Sequence, residues 1–227
     1  MHFHIITLFP HAFDSYLGES ILKRAIKDRK IKVSFYNPRD FTRDKWKRID
    51  RPPYGGGPGM VIQALPVVKA IEKALTKSKF KSQISKSKII WLTPSGKQFD
   101  NKYAAKTAKR YKHVIIICGR YEGIDARVKK VFSARGGSAS GGKVDEVSVG
   151  PFVLTGGELP AMIVMDAISR QIKGVLGNFD SLEEKRVGGD AYTRPEIISY
   201  KKKKYKVPKI LLSGHRTKIE KWKSDNK

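Results

Sequence analysis

The chain has little of what secreted and membrane proteins need. It contains one cysteine, Cys118, which excludes an internal disulfide and a cysteine-based zinc site. No apolar run approaches the roughly 18 residues that a membrane-spanning helix requires. The first residues, MHFHIITLFP, lack the charged segment and long apolar segment of a signal peptide. We therefore expect a cytoplasmic protein with no membrane partner.

Acidic residues are also scarce. The 227 residues include 21 Asp and Glu against 47 Lys and Arg, which gives a formal charge of +26. This excess predicts a polyanionic partner, RNA or DNA first, with an affinity that falls as salt rises. A lysine-rich proteome is the competing explanation, and the two are compatible.

The five histidines, His2, His4, His11, His113 and His215, are scattered along the chain, and no pair has the spacing H-x-x-x-H. We therefore expect no metal site. Nucleophile signatures such as G-x-S-x-G are absent as well.

Short apolar strands alternate with helical segments. SKIIWLTP and HVIIICG are typical of buried strands, whereas PVVKAIEKAL and the segment from about Glu158 to Arg170 are typical of helices. This pattern predicts an α/β fold with a mostly parallel sheet and helices on both faces. Residues 133–143 are small, polar and glycine-rich, which indicates a flexible loop or insert. A basic C-terminal segment contains a short helix candidate at 215–223.

Glycine-rich loops are the most prominent motifs. DRPPYGGGPGM, residues 50–60, lacks the Lys and Ser or Thr that follow the glycines of a phosphate loop. Two interpretations of this loop remain. It is either a plain surface turn or a loop whose backbone must approach something flat or crowded. Three further glycine-bearing loops, at 92–96, 118–125 and 147–161, each follow an apolar strand. Such loops line the ligand crevice of a parallel sheet. They predict a ligand such as adenine, held mostly by backbone groups, unless the glycines merely turn the chain.

Asp166 and Arg170 are four residues apart on one predicted helix. They form either an exposed ion pair or a guanidinium positioned for an anionic or carbonyl-bearing substrate. The spacing alone supports both interpretations equally.

Together these motifs resemble those of the bacterial tRNA (guanine-N1)-methyltransferases. DRPPYGGGPGM, CGRYEGID, VGPFVLTGGELPAM, GVLGN and YTRPE occur in order, and the resemblance runs from Leu8 to Trp222. It implies a SPOUT methyltransferase domain over residues 1–172, whose C-terminal part forms a trefoil knot. An interdomain linker at 173–191 and a short, basic, mainly helical tRNA-binding segment at 192–227 would follow. The resemblance also implies a homodimer with active sites shared between chains.

The implied reaction is methyl transfer from S-adenosylmethionine to N1 of the guanine at position 37 of tRNA, 3′ of the anticodon. The family also suggests a role for Mg²⁺. Arg170 matches the catalytic arginine. The implied donor pocket comprises Leu92, Thr93, Pro94, Gly119, Glu122, Val149, Gly150, Phe152, Leu154, Gly156 and Gly157. The implied segment beside the target base comprises Tyr54, Gly55, Gly57, Pro58, Gly59 and Met60.

The linker departs from the family, which uses an aspartate there as general base. An ungapped count from Arg170 puts Lys185 at that place, and lysine is a poor base unless it is desolvated. We favour Glu184 as the base, with Glu183, Asp180 and Asp190 as alternatives.

Three further departures concern Phe152, where the family often has tyrosine, the insert near 133–143, and a shortened C-terminus. Lysines 201–204 could compensate electrostatically for the shortened C-terminus. Two alternative functions follow from these departures: a catalytically impaired tRNA-binding homologue, or a related SPOUT methyltransferase that acts on another RNA base.

Overall fold

A five-stranded parallel sheet forms the centre of this computed structural model, which describes residues 1–76, 86–134, 144–177 and 190–225. The elements up to residue 177 are β1 (His2–Ile6), α1 (Asp14–Leu17), α2 (Ser20–Lys27), β2 (Lys32–Tyr36), β3 (Asp50–Arg51), β4 (Val61–Ile62), α3 (Ala64–Thr76), β5 (Ser87–Gln98), α4 (Asn101–Arg110), β6 (His113–Ile117), α5 (Arg127–Ala134), β7 (Asp145–Ser148) and α6 (Glu158–Arg170). The strand order is β2-β1-β6-β5-β7, and every pairing in this sheet is parallel.

Helices cover both faces of the sheet. Ile115 and Ile116 of β6 are fully buried and belong to two separate apolar clusters, because successive strand residues point to opposite faces. Helices α2, α4 and α6 contribute to one cluster, and α3 and α5 to the other. The predicted α/β architecture is confirmed. Over the described ranges, none of the helices has both the length and the apolar character needed to cross a membrane.

Strand β5 differs from its prediction, which ended the strand in a turn at about residue 94. The strand runs to Gln98, and its register against β7 shifts between Leu92 and Lys97. The shift places Thr93 and Pro94 in a bulge. Gly96 makes the close pairing possible, since a Cβ there would lie 2.5 Å from the backbone nitrogen of Val147.

The chain divides into two compact units, residues 1–177 and 178–227. The described part of the second unit contains β8 (Ile197–Tyr200), β9 (Lys203–Lys206), α7 (Lys209–Leu212) and α8 (Arg216–Asp225). Strands β8 and β9 form an antiparallel hairpin that the mainly helical prediction missed. Lys201 and Lys202 make its turn with φ of +46° and +63°. Such positive φ values usually select Gly or Asn, so the lysines gave no turn signal.

Candidate active site

The bulged part of β5 and the loops after β6 and β7 enclose a cleft of about 320 Å³ at the carboxyl edge of the sheet. Ten of the eleven residues predicted for the donor pocket line it: Leu92, Thr93, Pro94, Gly119, Glu122, Val149, Phe152, Leu154, Gly156 and Gly157. The eleventh, Gly150, lies outside the wall, where a Cβ would come within 2.2 Å of the Phe152 ring. Gly150 thus makes room for the aromatic ring that does line the cleft.

Gly157 allows two of these loops to touch. A Cβ at this position would lie 2.6 Å from Cys118 Cα and 2.9 Å from Gly119 N. The Gly157 amide donates a hydrogen bond to the Gly119 carbonyl oxygen at 2.9 Å. The neighbouring Cys118 thiol is buried, which raises its pKa and keeps it protonated and unreactive. The loop after β7 therefore rests directly on the loop after β6.

A buried carboxylate, Glu158, ties three loops together at the first turn of α6. It is 3% exposed, accepts a hydrogen bond from Thr7 Oγ1 at 2.7 Å, and pairs with Arg120 Nε at 2.9 Å. The Arg120 guanidinium also lies 4.6 Å from the centre of the Phe9 ring. Because both oxygens of Glu158 have partners, the charge is compensated at the site.

Sequence reasoning missed this network and part of the wall of the cleft. Glu158 lies 151 residues from Thr7 and 38 from Arg120, so no local spacing could indicate their contact. The wall residues could have been found as neighbours of the predicted ones in the same loops. Those missed are Trp91, Arg120, Tyr121, Gly123, Ile124, Val147, Ser148, Val153, Thr155 and Pro160.

The glycine loop Tyr54–Met60 projects between β3 and β4 and ends against the cleft. Gly55, Gly56, Gly57 and Gly59 all have positive φ, which explains the choice of glycine in this loop. The Glu122 amide donates to the Met60 carbonyl oxygen at 3.0 Å. A Cβ on Gly59 would lie 2.6 Å from Glu122 Oε1. The structure thus brings the predicted substrate segment beside a residue of the cleft wall.

Arg170 lies away from the cleft. It ends α6, whose 13 residues span about 18 Å, whereas the first turn of α6 adjoins the cleft. The Tyr16 hydroxyl donates to Asp166 Oδ2. The pKa of Tyr16 is raised to about 12, mainly by this hydrogen bond to Asp166. The positive charge of Arg170 acts in the opposite direction and lowers the pKa of Tyr16. The structure therefore adds Tyr16 to the pair that the sequence singled out.

Comparison with known proteins decides the family. The family model described as "tRNA (Guanine-1)-methyltransferase TrmD" matches residues 1–227. The chain belongs to the tRNA (guanine-N1)-methyltransferase family. The resemblance inferred from the motifs is confirmed.

Relatives named "tRNA (guanine-N(1)-)-methyltransferase" are similar over most of their length. The protein from Clostridioides difficile (strain 630) is 41% identical over 99% of this chain and 91% of its own. The one from Ruminiclostridium cellulolyticum is 41% identical over 98% of this chain and 89% of its own. The one from Citrifermentans bemidjiense is 42% identical over 98% of this chain and 83% of its own.

Most candidates for the general base lie outside the residues that the structure describes. Glu184, Glu183 and Asp180 fall outside the described residues, as does Lys185. Asp190 is described and exposed, in the second unit. The assignment of the base remains a prediction from the sequence.

Three of the histidines are not scattered in the structure. His2, His4 and His113 each bring one potential metal-ligating atom within 4.8 Å of the others, at the amino edge of the sheet. These three are scattered in the sequence but lie together in the fold, and the expectation of no metal site stays a prediction. It considered neighbours along the chain, whereas β1 and β6 are neighbours in the sheet.

Proposed function

We propose that this chain transfers a methyl group from S-adenosylmethionine to N1 of the guanine at position 37 of tRNA. One observation carries the proposal: ten of the eleven residues predicted from the family motifs for the donor pocket line a single cleft. Their loops lie far apart in sequence and meet at the carboxyl ends of three parallel strands, where such sheets bind ligands.

The shape and chemistry of the cleft suit the donor. Its volume of about 320 Å³ is in the range of small-molecule sites. Leu92, Ile124 and Leu154 supply apolar surface for an adenine ring, and the backbone at Gly119 and Gly156 can meet its polar edge. When bound, S-adenosylmethionine supplies an electrophilic methyl group on a sulfonium. The cleft then needs only to orient that methyl group toward the base.

The remaining chemistry concerns the guanine. N1 carries a proton at neutral pH, and a carboxylate within hydrogen-bond reach can remove it. We assign this role to Glu184. A guanidinium near O6 can stabilise the negative charge that develops on the base, and we assign this role to Arg170. The glycines of the loop that ends beside Glu122 offer backbone without side chains for an extruded guanine.

We propose a homodimer because, among the described residues, Arg170 lies away from the cleft of its own chain. Arg170 and the cleft lie at opposite ends of α6, about 18 Å apart. Leu159 and Ile163 of α6 are 52% and 42% exposed, and Tyr16 is exposed nearby. An exposed apolar face of this kind is typical of an interface. A second copy would bury it and would bring its own Arg170 to the cleft.

The C-terminal hairpin is the proposed tRNA contact. Tyr200 and Tyr205 are exposed on strands that carry Lys203, Lys204 and Lys206. Exposed aromatic rings among lysines suit stacking on bases and contact with phosphates.

Because the substrate is tRNA, we propose a cytoplasmic location. For Mg²⁺, which the family suggests, we propose no step.

We also propose that the chain is knotted, as the family implies. From the edge strand β7 the chain returns to the middle of the sheet, where α6 shares an apolar cluster with β1 and β6. On the way Gly157 passes against Cys118 and Gly119. A trefoil knot would form at this crossing.

Methyl transfer from labelled S-adenosylmethionine to unmodified tRNA, with the modified nucleoside identified, tests the function. We expect N1-methylguanine, and no transfer to a tRNA in which guanine 37 is replaced by adenine. Tight binding of tRNA and donor without transfer would instead indicate the impaired homologue. A different methylated nucleoside would indicate the related SPOUT methyltransferase.

A further inference from the structure

Three histidines lie together at the amino edge of the sheet, remote from the cleft. His2 and His4 are on β1, two residues apart and therefore on the same face. His113 begins β6 and is in register with His2. The cluster is thus held by two adjacent parallel strands in the core of the fold rather than by loops.

The ring nitrogens are close to the spacing that a metal ion needs. One potential ligating atom from each residue lies within 4.8 Å of the other two. His4 Nε2 and His113 Nδ1 are 3.3 Å apart and share a hydrogen bond, which a bound ion would replace. Two nitrogens bound to tetrahedral zinc at about 2.0–2.1 Å are separated by about 3.3 Å. Small rotations of His2 and His113, which are only partly buried, would complete the set.

Strand β2 supplies hydroxyl groups behind two of the rings. His4 Nδ1 is 3.0 Å from the Tyr36 hydroxyl, and His2 Nε2 is 3.0 Å from Ser34 Oγ. Histidine ligands of metal ions usually bond through one ring nitrogen and are oriented by a hydrogen bond at the other. Ser34 and Tyr36 fit this orienting role.

One side of the histidine cluster faces an open hollow. A hollow lined by Met1, Ala108, Tyr111, Lys112 and Ile172 adjoins His2 and His113 and gives an ion and water access.

We propose that His2, His4 and His113 form a site for one divalent transition-metal ion of the zinc type, with water at an open fourth position. Neutral imidazoles without carboxylate or thiolate favour zinc, copper or nickel over magnesium or calcium. A bound ion would cross-link β1 to β6 at the end of the sheet opposite the cleft. Because it binds the folded chain, it would stabilise that state.

Titration of the tag-free, chelator-treated full chain with Zn²⁺ and with Co²⁺ tests the site. We expect one ion per chain, visible d–d absorption typical of four- or five-coordinate Co²⁺, and a melting temperature raised by several degrees with Zn²⁺. His113→Gln and His2→Asn should abolish the absorption. His11→Gln and His215→Gln are matched controls, since both side chains are exposed and outside the cluster, and they should leave it unchanged.

The orienting hydroxyl gives a graded test. Tyr36→Phe should retain one ion per chain and weaken its affinity by roughly tenfold to a hundredfold. Circular dichroism of each variant shows whether it is folded. Absence of saturable binding by the folded parent chain would overturn the proposal. So would unchanged Co²⁺ absorption in folded His113→Gln and His2→Asn, or its loss in folded His11→Gln or His215→Gln.

Discussion

The two edges of the central sheet differ in what forms their sites: backbone at the carboxyl edge and side chains at the amino edge. At the carboxyl edge, loops bring backbone together, and Gly96, Gly156 and Gly157 occupy places where a side chain would collide with its neighbours. At the amino edge, side chains on the strands themselves form the cluster of His2, His4 and His113. The carboxyl-edge site requires glycine at the positions where backbone segments approach each other closely. The amino-edge cluster requires histidines on strands that are neighbours in the sheet.

The largest predicted effect concerns the proposed base that would serve the carboxyl-edge site. Glu184→Gln should lower single-turnover methyl transfer by at least about a hundredfold, because the isosteric amide cannot accept the N1 proton. Donor affinity, measured by calorimetry, should not change. Asp190→Asn is the matched control. A large loss in this control, with Glu184→Gln fully active, would move the role to Asp190.

The next effect tests whether the carboxyl edge tolerates a side chain. Gly157→Ala places a Cβ within 2.6 Å of Cys118 Cα, so the two loops must separate. A displacement of about 1 Å can cost about a hundredfold in rate, and we expect such a loss of methyl transfer together with weaker donor binding. In Gly177→Ala the new Cβ has nothing within 4 Å, and this control should behave like the parent chain. Equal activity of the two variants would contradict the close approach.

A third prediction tests whether the carboxyl edge is complete within one chain. Arg170→Ala should slow methyl transfer more than it weakens donor binding. Gly119→Val should block the cleft while leaving the fold intact, since a Cβ there meets only Ile124, at 3.9 Å. Equal mixing of the two inactive variants, with exchange of chains, should restore about a quarter of the parent activity, because half of the dimers carry one intact site. No recovery would show that Arg170 acts within its own chain.

The smallest effect separates two glycines of the projecting loop. A Cβ on Gly57 meets nothing within 4 Å, whereas one on Gly59 meets Glu122 of the cleft wall. Gly57→Val should therefore reduce methylation of tRNA by about tenfold through its positive φ, with donor affinity unchanged. Gly59→Val should weaken donor binding as well. Identical donor affinities in the two variants would show that the loop does not influence donor binding in the cleft.

The sequence predicted features that depend on local pattern. Helix α6 was expected from about Glu158 to Arg170 and has those bounds. The glycine loops were recognised because motifs fix residue type at close spacing. The contact of Glu158 with Thr7 was missed because it joins residues 151 apart. The hairpin turn at Lys201 and Lys202 was missed because its residues are unusual for positive φ. Local composition does not indicate contacts between residues far apart in the sequence or turns formed by residues that rarely adopt positive φ.

Helix α6 has one more consequence. If its first turn serves the cleft of its own chain and its last residue serves the cleft of a neighbour, an isolated chain is inert even when it is folded and loaded with donor. Catalysis per chain then depends on protein concentration and falls steeply once the chains are diluted below the dissociation constant of the dimer. The amount of enzyme in a cell would therefore set both the number of catalysts and the fraction of them that work.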